Sequence, residues 1–68
     1  MFNSKLLKAK LIEKGISVLQ ICEEINVCEA TYYRKVARNG DFSRCEIQAI
    51  SNLLSLTDDE KNKIFFAN

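Results

Sequence analysis

Five short helices in one compact all-α domain are predicted for this 68-residue chain by three observations. Apolar residues recur at spacings of three and four, and no segment alternates with period two. Three stretches, Ser17 to Gln20, Ser43 to Glu46 and Thr57 to Glu60, carry the capping-box pattern that opens a helix. Proline is absent, and the two glycines fall between the periodic segments, where chain reversals belong. So short a chain is one domain near the lower size limit for folding alone, and its 47% apolar content supplies a core.

The first helix is expected from Ser4 to Lys14, with Leu7, Leu11 and Ile12 inward and Leu6 widening the stripe. Gly15 is its left-handed stop. The second runs from about Val18 to Ile25. Ser17 caps it, Gln20 reaches back, and Ile16 and Ile21 form a hydrophobic staple. Asn26 marks the next turn, because asparagine tolerates the left-handed conformation best after glycine.

The third helix opens after Val27 and Cys28 and reaches about Ala37 or Arg38. Val27 and Tyr32 have staple spacing, which sends Tyr32 to the core and leaves Tyr33 facing elsewhere. Cys28 stands where serine or threonine is usual, so this cap is weak. Asn39, Gly40 and Asp41 close the helix. In the fourth, Ser43 and Glu46 form the box, Phe42 staples to Ile47, and Ile47, Ile50 and Leu54 form the buried stripe beside Ala49 and Leu53. The fifth begins at Thr57 with Asp58, Asp59 and Glu60 in its first turn, where the helix dipole favours acids. Ile64 and Phe65 are its apolar side.

Composition excludes several function classes. No 18-residue apolar run exists to span a membrane, and no signal segment is recognisable, so a cytoplasmic location is expected. Cys22, Cys28 and Cys45 are odd in number and lack close pairing, and histidine is absent; three reduced thiols are expected, two of them in the core, with no metal and no cofactor. An enzyme is not expected. The chain has no histidine base, no glycine-rich phosphate loop, and a Glu23-Glu24 pair whose consecutive positions do not face each other. The net charge is only +1, but it divides into +3 over residues 1–40 and −2 over residues 41–68. A polyanion would meet the first part.

The second and third helices carry the functional signal. Eight residues, a short turn and about ten residues have the proportions of a helix-turn-helix, in which steeply crossed helices need a small residue at closest approach. Cys22 occupies that place, and Ile21, Ile25, Val27 and Tyr32 hold the pair together. Lys35 falls where the pattern wants another apolar residue; Val36 supplies the contact instead. On these residues the stretch from Gly15 to Gly40 resembles the Cro/repressor-type helix-turn-helix domain of phage and bacterial regulators, the XRE-like or lambda repressor-like family. The run Thr31-Tyr32-Tyr33-Arg34-Lys35-Val36 is similar to the recognition-helix segment of small phage-encoded members, and the trailing Asn39 to Ser43 followed by two helices matches the same layout.

The resemblance implies a compact five-helix lambda repressor-like domain that binds operator DNA as a sequence-specific transcriptional regulator. The third helix, about residues 29–38, would enter the major groove. Cys28, Glu29, Ala30, Tyr33 and Arg34 would face it. Arg34 can bind a guanine edge bidentately, Ala30 can touch a thymine methyl, Glu29 can accept from a cytosine amine, and Tyr33 can reach a base or phosphate. Ser17 would lie against a phosphate with the start of its helix, and Lys35 and Arg38 would position the backbone. Two positions depart from the family. Val18 stands where members commonly carry glutamine, and Leu11 and Val36 stand where an arginine–glutamate pair is common.

Two-fold operators imply a homodimer. Phe65 and Phe66 are adjacent, one helix face can hardly bury both, and the C-terminal helix with these two residues is the candidate dimer interface. The rival reading is a protein-interaction module of the same fold, a modulator of another phage repressor or an antitoxin; the acidic second part and the apolar C-terminus favour it.

Overall fold

The computed structural model describes residues 2–66. Its elements are α1 (Ser4–Lys14), α2 (Val18–Ile25), α3 (Glu29–Ala37), α4 (Arg44–Leu53) and α5 (Asp58–Phe65), with no strand among the described residues. The cap chemistry explains the bounds. In α2, α4 and α5 the Ser17, Ser43 and Thr57 hydroxyl oxygens accept from the third backbone N–H of the helix, and the Gln20, Glu46 and Glu60 side chains accept from the cap N–H in return. Asn3 does the same for α1 from one side, its Oδ1 accepting the Leu6 N–H at 3.1 Å. Cys28 makes no capping hydrogen bond to the backbone of α3, as its residue type led us to expect.

The turns follow the same local logic. Gly15 (φ 67°) and Asn26 (φ 57°) are left-handed stops, and each donates its N–H back to the helix it ends. Asn39 (φ 60°) and Gly40 (φ 72°) reverse the chain after α3. Ser55 (φ 53°) does so after α4, a left-handed serine that nothing in its residue type foretells.

These five helices form a globule of 27 × 24 × 20 Å. In it α2 packs on α4 and on α3, while α1 packs on α5. The core is Leu7, Leu11, Ile21, Cys22, Tyr32, Phe42, Ile50, Leu54, Ile64 and Phe65. Tyr32 is buried, which pushes its phenol up to about 12. Cys22 is buried in the core as well, and burial likewise raises its thiol. Ser51 is buried too, and its hydroxyl donates to the Ile47 carbonyl at 2.7 Å, so the helix itself satisfies it.

Three expectations need correction. Ile12 is 74% exposed. The Gly15 turn bonds the Ile16 N–H to the Leu11 carbonyl at 2.9 Å and brings Ile16, rather than Ile12, onto the core. Only one cysteine is a core residue, because Cys28 and Cys45 are both exposed; none of the three is in a disulfide. Ile47 is partly buried only, since the inward row of α4 is centred on Ile50 and Leu54.

Phe65 lies on the apolar side expected of α5 and so leaves the candidate dimer interface. It is 7% exposed and packs against Phe2 (ring centroids 5.7 Å apart) and Phe42 (6.1 Å). Phe2 and Phe42 lie 5.9 Å apart, and Tyr32 adds a fourth ring 6.0 Å from Phe42. All are within the 4.5–7 Å range of favourable aromatic pairs. This cluster joins the N-terminal segment, α3, the α3–α4 turn and α5. Phe65 is therefore unavailable to a dimer partner, and Phe66, 54% exposed, is the candidate that stays outside.

Candidate nucleic-acid interface

Only Asn26, Val27 and Cys28 join α2 to α3. The Val27 N–H donates to the Cys22 carbonyl at 3.0 Å, and Val27 packs partly buried against the core. That anchor, with Tyr32 inward, fixes the rotation of α3 about its axis. The other face of α3 is open: Cys28, Glu29, Ala30, Tyr33, Arg34 and Arg38 are all exposed. Positions 29, 30, 33 and 34 lie on one side of a 3.6-residue helix, so four of the expected reading residues share a surface.

Tyr33 is 54% exposed, yet its ring is not loose. It meets Tyr32 edge-on, centroids 5.3 Å apart at 79°. Arg34 and Arg38 have no salt-bridge partner among the described residues, whose ion pairs involve Lys10, Lys35, Lys61 and Lys63. Their guanidiniums are free for planar acceptors such as a base edge or a phosphate. The Cys28 Sγ lies 3.2 Å from the Thr31 hydroxyl. That hydroxyl is the main influence holding the Cys28 thiol below its ordinary range.

Lys35 stands apart from the others. Its ammonium donates to the Asp41 carbonyl and to Glu46 Oε1, each at 3.3 Å, and it is partly buried there. Burial pushes Glu46 upward, but the Ser43 N–H and the Lys35 ammonium outweigh it and hold the carboxyl below the usual carboxylate range. The charge of Lys35 thus serves the α3–α4 junction, a pairing hidden from sequence because the partners lie eleven positions apart.

Ser17 is exposed, but its hydroxyl oxygen accepts the Gln20 N–H at 3.2 Å. The start of α2 lies beside α3, since Val18, Tyr33 and Val36 line one pocket. Lys5 and Lys8 of α1 line the same pocket and are exposed, without a salt-bridge partner among the described residues. Their spacing alone marks them as ordinary surface lysines; the positive balance of residues 1–40 is the hint to more. Lys10 is different, bonded to Glu13 at 3.1 Å and to Glu60 of α5.

Elsewhere on the surface, Phe66, Ile47, Gln48, Arg44 and Lys61 border a depression with Phe42. Among the described residues no group of cysteine, aspartate and glutamate is placed to hold a metal ion, and no helix is long and apolar enough to cross a membrane. No protein-family model, curated protein or solved structure matches the chain.

Proposed function

We infer that this chain is a sequence-specific binder of double-stranded DNA, a transcriptional regulator of the Cro/repressor kind, with α3 as the helix that enters the major groove. One observation carries the reading. The outer face of α3 presents Glu29, Ala30, Tyr33 and Arg34 to solvent while Tyr32 locks the inner face. A helix so held, with its neighbour's N-terminus beside it, has the dimensions and side chains to read a groove.

Roles follow from chemistry. Arg34 reads a guanine edge, Ala30 meets a thymine methyl, Tyr33 contacts a base or sugar-phosphate, and Glu29 selects a cytosine amine. Arg38 and Ser17 hold phosphates. Lys35, engaged by Glu46, is left out of this set. A homodimer through the surface bearing Phe66 spaces two such helices over half-sites about 34 Å apart.

A protein-interaction module of the same fold is the second reading. Ile12 (74% exposed), Leu19 (54%) and Phe66 (54%) favour it, as apolar side chains facing water suit a protein partner. Fluorescence anisotropy with random-sequence duplex DNA at low and moderate salt separates the two. A DNA reader binds weakly and loses affinity steeply with salt, because phosphate contacts release counterions. Absence of binding at low salt overturns the first reading and supports the second.

A further inference from the structure

The pocket shared by α1, the start of α2 and α3 has a volume of about 310 Å³. That is the small end of the range for small-molecule sites, about 300–1,000 Å³. Its walls are the side chains of Leu7, Leu11, Val18 and Val36 with the Tyr32 ring. Its other lining residues include Lys5, Lys8 and Tyr33, all exposed, and no acidic residue. Lys5 and Lys8 are three positions apart on α1, so their stems rise side by side. The walls are therefore apolar and the rim is cationic.

We propose that this pocket binds an amphipathic monocarboxylate of medium chain length. The alkyl chain lies over the buried Leu7 and Leu11 and covers the partly exposed Val18 and Val36, whose apolar surface it removes from water. The carboxylate sits at the mouth between the Lys5 and Lys8 ammonium groups, accepting charge-assisted hydrogen bonds. A neutral molecule of the same length leaves both ammonium groups unused, and an inorganic anion leaves the walls uncovered. Tyr33 is common to this pocket and to the outer face of α3, so an occupant bears on the position of its ring. Any coupling to DNA rests on the function proposed above; ligand binding itself does not.

The test contains no DNA, so its failure and a failure to read DNA are distinguishable. The methyl resonances of the full chain are followed by NMR while sodium octanoate is added, with 1-octanol as the neutral control. Saturable shifts are expected at Leu7, Leu11, Val18 and Val36. Octanoate is expected to bind about threefold to tenfold more tightly than octanol, the range that two exposed charge contacts supply. The double variant Lys5→Gln/Lys8→Gln, changed only at exposed positions, should erase that difference and leave octanol binding unaltered. Val36→Phe should fill the pocket and abolish both; the lysine variant carries the test should that core-facing change unfold the chain. Absence of saturable shifts at those methyls, equal binding of octanol and octanoate by the unaltered chain, or an undiminished preference in the lysine variant would each overturn the proposal.

Discussion

Lys35 and Glu46 tie the end of the exposed helix to the start of the next, their ammonium and carboxylate 3.3 Å apart and both largely shielded from water. The same carboxylate oxygen accepts the Ser43 N–H at 2.8 Å, so one atom serves both the cap of α4 and the α3–α4 junction. Lys35→Gln is therefore expected to lower stability by about 1 kcal/mol, the scale of a partly shielded ion pair, while leaving the salt dependence of the proposed DNA binding unaltered. Arg38→Gln is expected to do the reverse, reducing the salt slope by about one. Urea denaturation and salt-dependent anisotropy on both variants check the contrast.

Arg34 has an exposed guanidinium and a position on the open face of α3. Its change to Ala is expected to cost about 1–3 kcal/mol on a selected operator and to relax preference at one base position. The measurement is anisotropy on the operator and on random duplex. An equal loss on both would falsify a base-reading role for Arg34.

Phe65 and Phe66 differ in burial by a decisive margin, 7% against 54% exposed. Phe65→Ala removes a ring packed against Phe2 and Phe42, at a cost of about 3–5 kcal/mol. That is comparable to the whole stability of a domain this small, and the far-UV spectrum should show an unfolded chain. For the proposed homodimer, Phe66→Ser should leave the fold intact and shift sedimentation from dimer to monomer. A folded Phe66→Ser variant that stays dimeric would move the interface elsewhere.

Gly15 and Gly40 both have positive φ, 67° and 72°, but their surroundings differ. A β-carbon at Gly15 meets open space, whereas at Gly40 it collides with the Phe2 side chain. Gly15→Ala is expected to cost about 1–2 kcal/mol from backbone strain alone. Gly40→Ala should cost more, because Phe2 must also leave the aromatic cluster. Urea midpoints of the two variants decide the order.

Lys10 and Glu60 connect α1 to α5. The Lys10 ammonium, then the Thr57 N–H, holds the Glu60 carboxyl down at about 2. The folded value lies below the unfolded one of about 4.3, so this contribution is present above that pH and fades as pH falls toward 2. Glu60, then Glu13, raises Lys10, whose contribution holds at neutral pH and is lost only as pH rises through its folded value. Acidification from neutral to about pH 3 should therefore destabilise the unaltered chain more than Glu60→Gln, which keeps an amide to accept at the cap. Urea midpoints at the two pH values test this.

Local chemistry was legible in the sequence because it acts over three or four residues. Ser17, Ser43 and Thr57 announce their helices through partners at the third following position, and Gly15 and Asn26 announce the ends. The open face of α3 was legible for the same reason: with Val27 and Tyr32 stapled inward, Glu29, Ala30, Tyr33 and Arg34 have to point away. Asn3 carries an ordinary cap signal too, one residue before α1.

What the sequence by itself determined, then, is the helices, their caps and which edge of α3 stays outside. Tertiary structure decided that Ile12 stays in water, that Phe65 meets Phe2 and Phe42, and that Lys35 turns to Glu46. It also opened the pocket over Leu11 and Val36. The physical reason is range. Cap hydrogen bonds and backbone stops are settled by neighbours along the chain, whereas burial and ion pairing depend on which surfaces meet after the chain has folded back on itself.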